Sequence, residues 1–101
     1  LQDGLSTYFY PSGQKRFEAI YKDGKKEGLV TAWYETGQKE YELYYNNGEE
    51  DGLGTTWYES GIKSGEFHQK NGEPDGVWIR WYESGEKESE THYKNGVEVE
   101  N

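Results

Sequence analysis

The pentad WYESG occupies residues 57–61 and recurs, letter for letter, at 81–85; WYETG stands at 33–37 and FYPSG at 9–13. Two aromatics, an acid, a small hydroxyl residue and a glycine have the composition of a binding motif. Their constant spacing argues for something plainer, the corner of a repeated fold. Set at a period of 24, the chain divides into copies at 3–26, 27–50, 51–74 and 75–98, read as one repeat domain over 1–101. Gly4, Gly28, Gly52 and Gly76 hold one column, and Tyr10, Tyr34, Tyr58 and Tyr82 another. Gly13, Gly37, Gly61 and Gly85 form a third, followed two places on by Lys15, Lys39, Lys63 and Lys87. Glu18, Glu42, Glu66 and Glu90 form a further column, and Gly24, Gly48, Gly72 and Gly96 the last. Repetition this strict predicts an array in which each copy packs on its neighbours.

Each copy contains two runs that alternate apolar and polar residues, each closed by a glycine turn, which reads as strand, turn, strand, turn. No 3.6-residue period or capping pattern supports a helix. The expected fold is all-β: an elongated, single-layer antiparallel β-meander of tandem 24-residue hairpins. About eight strands at roughly 4.8 Å each give a length of about 35 Å. Three-residue loops, Glu35-Thr36-Gly37 and Asn46-Asn47-Gly48, predict the pairs Trp33 with Lys39, Thr31 with Tyr41, Leu43 with Asp51 and Tyr41 with Leu53. That register puts Leu29, Thr31 and Trp33 on the same side as Tyr41, Leu43 and Tyr45.

The 101 residues include no cysteine and no methionine and carry a net charge of -9. Leu, Ile, Val and Phe number only 15, a content that by itself suggests disorder. Four Trp, ten Tyr and three Phe supply the missing apolar area. The lack of cysteine excludes disulfides and thiolate metal sites. The acidic balance is a poor match for nucleic acid or anionic lipid and suits a basic protein partner. No apolar run reaches the length of a membrane span or a signal-peptide core. A bacterial cytoplasm and a secreted or surface location are both compatible. A chain that opens on Leu1 and lacks Met reads as a processed or trimmed part of a longer one.

The sequence resembles the MORN repeat family. Tyr41-Glu42-Leu43 matches its Tyr-Glu-Gly, Tyr45 its following aromatic, and Gly48, Gly52 and Gly54 its spaced glycines. Ala19, Leu43, Phe67 and Thr91 stand where the family pattern has its middle glycine. The segment aromatic-Tyr-x-Ser/Thr-Gly-x-Lys is similar to the bacterial variant, found in surface or secreted repeat proteins and in toxin-neutralising antitoxins. The resemblance implies a β-hairpin repeat that works by binding protein. The -9 charge argues against the lipid binding once proposed for the eukaryotic members.

Candidate residues follow from the columns. Tyr10, Tyr34, Tyr58 and Tyr82 are expected to share a face with Glu18, Glu42, Glu66 and Glu90, a tyrosine row beside a carboxylate row that could grip a protein. Trp78 interrupts a column of Ser6, Val30 and Gly54, which makes it the sharpest single contact candidate; the plainer reading is a plug over glycine. Phe9, Trp33, Trp57 and Trp81 read as architecture, cross-strand from the lysine column. His68 and His92 share a column about 9.6 Å apart with no third ligand. Asn47, Glu49, Glu50 and Asp51, and Asn71, Glu73 and Asp75, lack the ordered spacing of a calcium loop. A catalytic centre needs unlike residues converging at one place, whereas a strict repeat spreads like residues evenly. The reading is therefore a non-enzymatic interaction or scaffold module with no catalytic residues, metal or cofactor. Alternatives are an immunity protein or antitoxin neutralising a basic nuclease or deaminase, and a regulatory segment of a larger enzyme.

Overall fold

Asn47 and Gly48 both take left-handed backbone angles, φ 54° and 88°, as do Asp23-Gly24, Asn71-Gly72 and Asn95-Gly96. Two successive positive φ values make the two-residue hairpin turn whose twist suits flanking strands, and Asn/Asp-Gly is the pair that reaches it with least strain. These turns, with the Gly13, Gly37, Gly61 and Gly85 corners, fold the chain into one antiparallel sheet. The computed structural model describes residues 3–100; Leu1, Gln2 and Asn101 of the expected 1–101 domain lie outside the described residues.

The strands are β1 (Gly4–Phe9), β2 (Lys15–Lys22), β3 (Lys25–Lys26), β4 (Gly28–Trp33), β5 (Lys39–Asn46) and β6 (Glu49–Glu50). They continue as β7 (Gly52–Trp57), β8 (Lys63–Lys70), β9 (Glu73–Trp81), β10 (Lys87–Lys94) and β11 (Val97–Val99). The long strands lie in chain order, β3 pairs on β2 and β6 on β5 as short flanges, and no connection crosses over. Extents of 43 × 34 × 12 Å are those of a single layer. The all-β, elongated single-layer meander read from the sequence is what forms.

Two details of register differ from the sequence reading. The second turn has two residues, pairing Asn46 with Glu49, and the register against β5 then shifts by two residues before β7, with Asp51 N–H on Tyr44 O and Gly52 paired to Gln69 of β8. Tyr41 consequently faces Thr56, not Leu53, and a Cβ on Gly54 would lie 2.7 Å from Leu43 Cδ2. The first hairpin closes as expected, with Tyr34 N–H on Gln38 O, Gly37 N–H on Tyr34 O, and Trp33 opposite Lys39. One residue later Glu40 bulges out, so Ala32 pairs with Tyr41 and Thr31 with Glu42. The same shift occurs in each copy.

A one-residue slip sends every following side chain to the other face. The front face carries Leu29, Thr31 and Trp33 with Lys39, Glu42 and Tyr44. The back face carries Val30 and Ala32 with Tyr41, Leu43 and Tyr45. The expected union of both apolar sets on one side is thereby corrected: Trp33 and Tyr41 look in opposite directions.

With one layer, burial comes from lateral packing. Ala19, Val30 and Ala32 are the buried apolar residues of the back, Ala32 between Phe17 and Tyr41 and Val30 opposite Leu43, and Thr31 and Thr55 are buried on the front. Large and small residues alternate across the strands. The ring of Phe67 lies over Gly65, where a Cβ would meet Phe67 Cζ at 2.5 Å.

Candidate interaction surfaces

Three rows cross the front face perpendicular to the strands. The middle one alternates hydroxyls and carboxylates: Thr7, Glu18, Thr31, Glu42, Thr55 and Glu66 stand in direct register. Each glutamate accepts from the lysine three residues before it, Lys15–Glu18 at 3.1 Å, Lys39–Glu42 at 2.5 Å, Lys63–Glu66 at 2.6 Å and Lys87–Glu90 at 2.5 Å. The Lys15 bond is the main cause holding the Glu18 carboxyl below its usual range, against the effect of burial, with a hydrogen bond from Thr7 helping. Bonds from Lys87 and then His92 lower Glu90 in the same way. These pairs are at the surface and half solvated, so they align the copies more than they stabilise them.

The second row alternates aromatics with those lysines. The expected cation–π contact is present, but at Trp33 the cation is Lys15 of the preceding copy, 5.7 Å from the ring centroid. Lys39, the hairpin partner of Trp33, turns to Glu42 instead.

The third row was not singled out from the sequence. Leu5, Ile20, Leu29, Tyr44 and Leu53 stand across β1, β2, β4, β5 and β7 on the front, and all five are exposed, Leu5 at 65%, Ile20 at 46% and Tyr44 at 50%. His68, Val77, His92 and Val99 continue it. The two columns that compose it were visible, but placing them on one face requires the Glu40 bulge.

The tyrosine and glutamate rows, expected side by side, are separated. The glutamates lie on the front, whereas Tyr10 and Tyr34 line clefts of the back face along the loop margin. Tyr10, Tyr34 and Tyr58 each donate a phenol hydrogen to the carbonyl one copy on, Trp33, Trp57 and Trp81, at 2.6, 2.7 and 2.7 Å. Tyr82 keeps the backbone bonds of its corner, with its N–H on Glu86 O, but its phenol has no such acceptor among the described residues and the residue is 51% exposed. Burial first, then the charges of Glu40, Glu59 and Glu83, raise the Tyr34 phenol above its ordinary value. Trp78 is on the back, edge-on to Phe67 at 4.7 Å and 5.4 Å from Tyr93, with its Nε1–H on His68 O at 2.8 Å. It braces the last two copies through Phe67 and Tyr93.

The opposite margin is stapled too. Asp3, Glu27, Asp51 and Asp75 each accept the N–H of their own copy's Asx-Gly turn. Gly48, Gly72 and Gly96 donate to Lys26, Glu50 and Pro74 of the copy before. Among the described residues no three His, Asp or Glu stand together as a metal-holding group. His68 Nδ1 donates to Val77 O and His92 Nε2 meets Glu90, so the two imidazoles are engaged separately.

Hairpins of this period, corner and inter-copy stapling match a family model described as the MORN repeat variant at residues 2–23, 26–47 and 74–95, more than half of the chain. The chain belongs to the MORN repeat variant family. Comparison with curated proteins and with solved structures finds no match. The stretch 48–73, between the matched segments, forms a hairpin in the same register, with Thr55 opposite Glu66 and Trp57 opposite Lys63. The chain is thus a MORN repeat module of the interaction type, with three segments matched to the family model.

Proposed function

We propose that this MORN array is a non-catalytic protein-binding module that holds a basic partner against its front face. The observation that carries the reading is the row Leu5, Ile20, Leu29, Tyr44 and Leu53, large apolar side chains left to solvent on one face of five successive long strands. Contiguous apolar surface rimmed by charge is typical of a contact site. One border of the row is the Glu18, Glu42, Glu66 and Glu90 ladder. The other is the turn margin with Glu27, Glu49, Glu50, Asp51, Glu73 and Asp75. Residues 27–101 hold 17 Asp and Glu against six Lys and Arg, which supports a cationic partner. A strip of three rows measures about 35 by 20 Å, roughly 700 Å², close to the ~800 Å² per partner of an ordinary interface. The proposed surface takes in the glutamate row and leaves out the tyrosine row and Trp78.

A scaffold role is the first reading, because a repeated row offers equivalent contacts along its length. The acidity of copies two to four also supports an immunity protein laid over the cationic groove of a nuclease or deaminase. Leu29→Glu combined with Leu53→Glu tests the surface, since both side chains are exposed and the fold should persist. The unmodified chain is expected to retain from its source cells a basic protein that rebinds in purified form. The double variant should bind that protein at least about tenfold more weakly. Unchanged retention by the variant, or co-sedimentation with anionic vesicles in place of a protein, would overturn the proposal. Rescue of cells from a toxin encoded beside the gene would separate the immunity role from the scaffold.

A further inference from the structure

The back face holds two clefts that the front-face reading does not use. Ala32 floors the first, a space of 430 Å³ walled by Tyr8, Tyr10, Phe17 and Tyr41 with Glu40 at its rim. Thr56 floors the second, 310 Å³, between Tyr41 on one side and Phe67 and Arg80 on the other, with Tyr34 and Glu40 again at the rim. The cause is the alternation of large and small residues in one register line: Phe17, Ala32, Tyr41 and Thr56 are consecutive partners, and the Phe67 ring lying over Gly65 supplies the next ridge. A small residue between two aromatic ridges leaves a slot, and the repeat makes the slot recur. At Arg80 the line closes, because that guanidinium lies over the Phe67 ring at 5.7 Å.

We infer that these clefts bind a proline-rich segment of a partner protein in the polyproline II conformation, with a Lys or Arg set against Glu40. The spacing selects the conformation. The slot floors are two strands apart, about 9.6 Å. A polyproline II helix presents one face every three residues, about 9.3 Å, with nothing on that face in between. An α-helix would place an intermediate side chain about 5–6 Å along, where the Tyr41 ridge stands. An extended strand repeats every ~6.8 Å and falls out of phase. Aromatic-walled grooves suit such a ligand because it has already lost most of its chain entropy.

Charge selects the basic residue. Glu40 borders both clefts, and Glu35, Glu59 and Glu83 follow it along the loop margin. Arg16 and Arg80 sit at the outer ends, so negative potential is concentrated between the two slots.

The test uses a ten-residue polyproline peptide with one central arginine, titrated against the folded chain by tryptophan fluorescence and by NMR shifts of Ala32 and Tyr41. The control is a Gly/Ser peptide of the same length and charge. Saturable binding of the proline peptide is expected, with the control at least about tenfold weaker. Tyr8→Ala, at a side chain 48% exposed, should weaken binding roughly tenfold, and Glu40→Gln should abolish the preference for the arginine peptide over an all-proline one. Leu29→Glu with Leu53→Glu on the front should leave it unchanged, so failure here and failure of the front-face reading are distinguishable. Equal binding of the Gly/Ser control, no binding of either peptide, or indifference to Tyr8→Ala overturns the inference.

Discussion

The hydroxyl of Tyr34 donates a 2.7 Å hydrogen bond to the carbonyl oxygen of Trp57, 23 residues on and one copy away. The same bond from Tyr10 and Tyr58 makes the tyrosine column a series of ties between copies. Removing one hydroxyl should cost roughly a single net hydrogen bond. Tyr34→Phe is therefore expected to lower unfolding free energy by about 1 kcal/mol, measured by urea denaturation. Tyr82→Phe, whose phenol has no such acceptor among the described residues, should stay within about 0.5 kcal/mol of the parent. Equal losses for the two would show that the bond contributes nothing.

Gly65 tests the lateral packing that stands in for a core. A Cβ there would lie 2.5 Å from Phe67 Cζ and 2.8 Å from Cε2. Gly65→Ala should displace the Phe67 ring, weaken its edge contact with Trp78 and cost about 1–3 kcal/mol. Thermal unfolding gives the stability loss, and near-ultraviolet circular dichroism reports the Trp78 environment. An unchanged near-ultraviolet spectrum would mean the ring can relocate without penalty.

The Glu40 bulge is required for the faces to match from copy to copy. Deleting Glu40 leaves Tyr41, Leu43 and Tyr45 one position out of step, so either these side chains move to the front or the pairing with Thr31 breaks. Loss of cooperative unfolding is the expected outcome, followed by circular dichroism on heating. Glu40→Ala keeps the residue count and should change the midpoint little.

Acid should weaken the fold through Glu18. Its carboxyl titrates below the ordinary 4.5 in the folded state, because Lys15 and Thr7 bond the charged form. A depressed value favours the folded state above the unfolded pKa, and the contribution disappears as pH falls through the folded one. Melting temperature should accordingly drop below about pH 4.5 in the parent and less in Glu18→Gln.

Alkali should act through the phenols. Burial, with smaller effects from nearby carboxylates, raises Tyr41 and Tyr45 above the usual 10.0. A raised value favours folding below the unfolded pKa, and that contribution is lost as pH rises from 10 through the folded value. Absorbance at the tyrosinate band should show these phenols ionising after the exposed ones, and Tyr41→Phe should shrink the alkaline loss of stability. Simultaneous ionisation of all tyrosines would contradict the burial.

The period, the strand–turn alternation and the Trp33–Lys39 pairing were legible because each rests on local chemistry: glycine at a left-handed corner, alternation along a strand, a fixed loop length. Leu29 and Tyr44 show where that legibility stopped. Each is visible as an apolar residue on a strand, yet whether they share a face depends on how many residues between them go unpaired. Asn47-Gly48 closes a turn of two, and Glu40 adds one, and neither count follows from composition. A bulge persists only because the pairs beyond it pack better than those of the regular register, and that comparison involves residues a copy away. The sequence alone thus determined a MORN-type β-meander with its corners and columns. Only the tertiary structure decided which columns share a face, because facing is a parity accumulated over every unpaired residue and set by packing across strands.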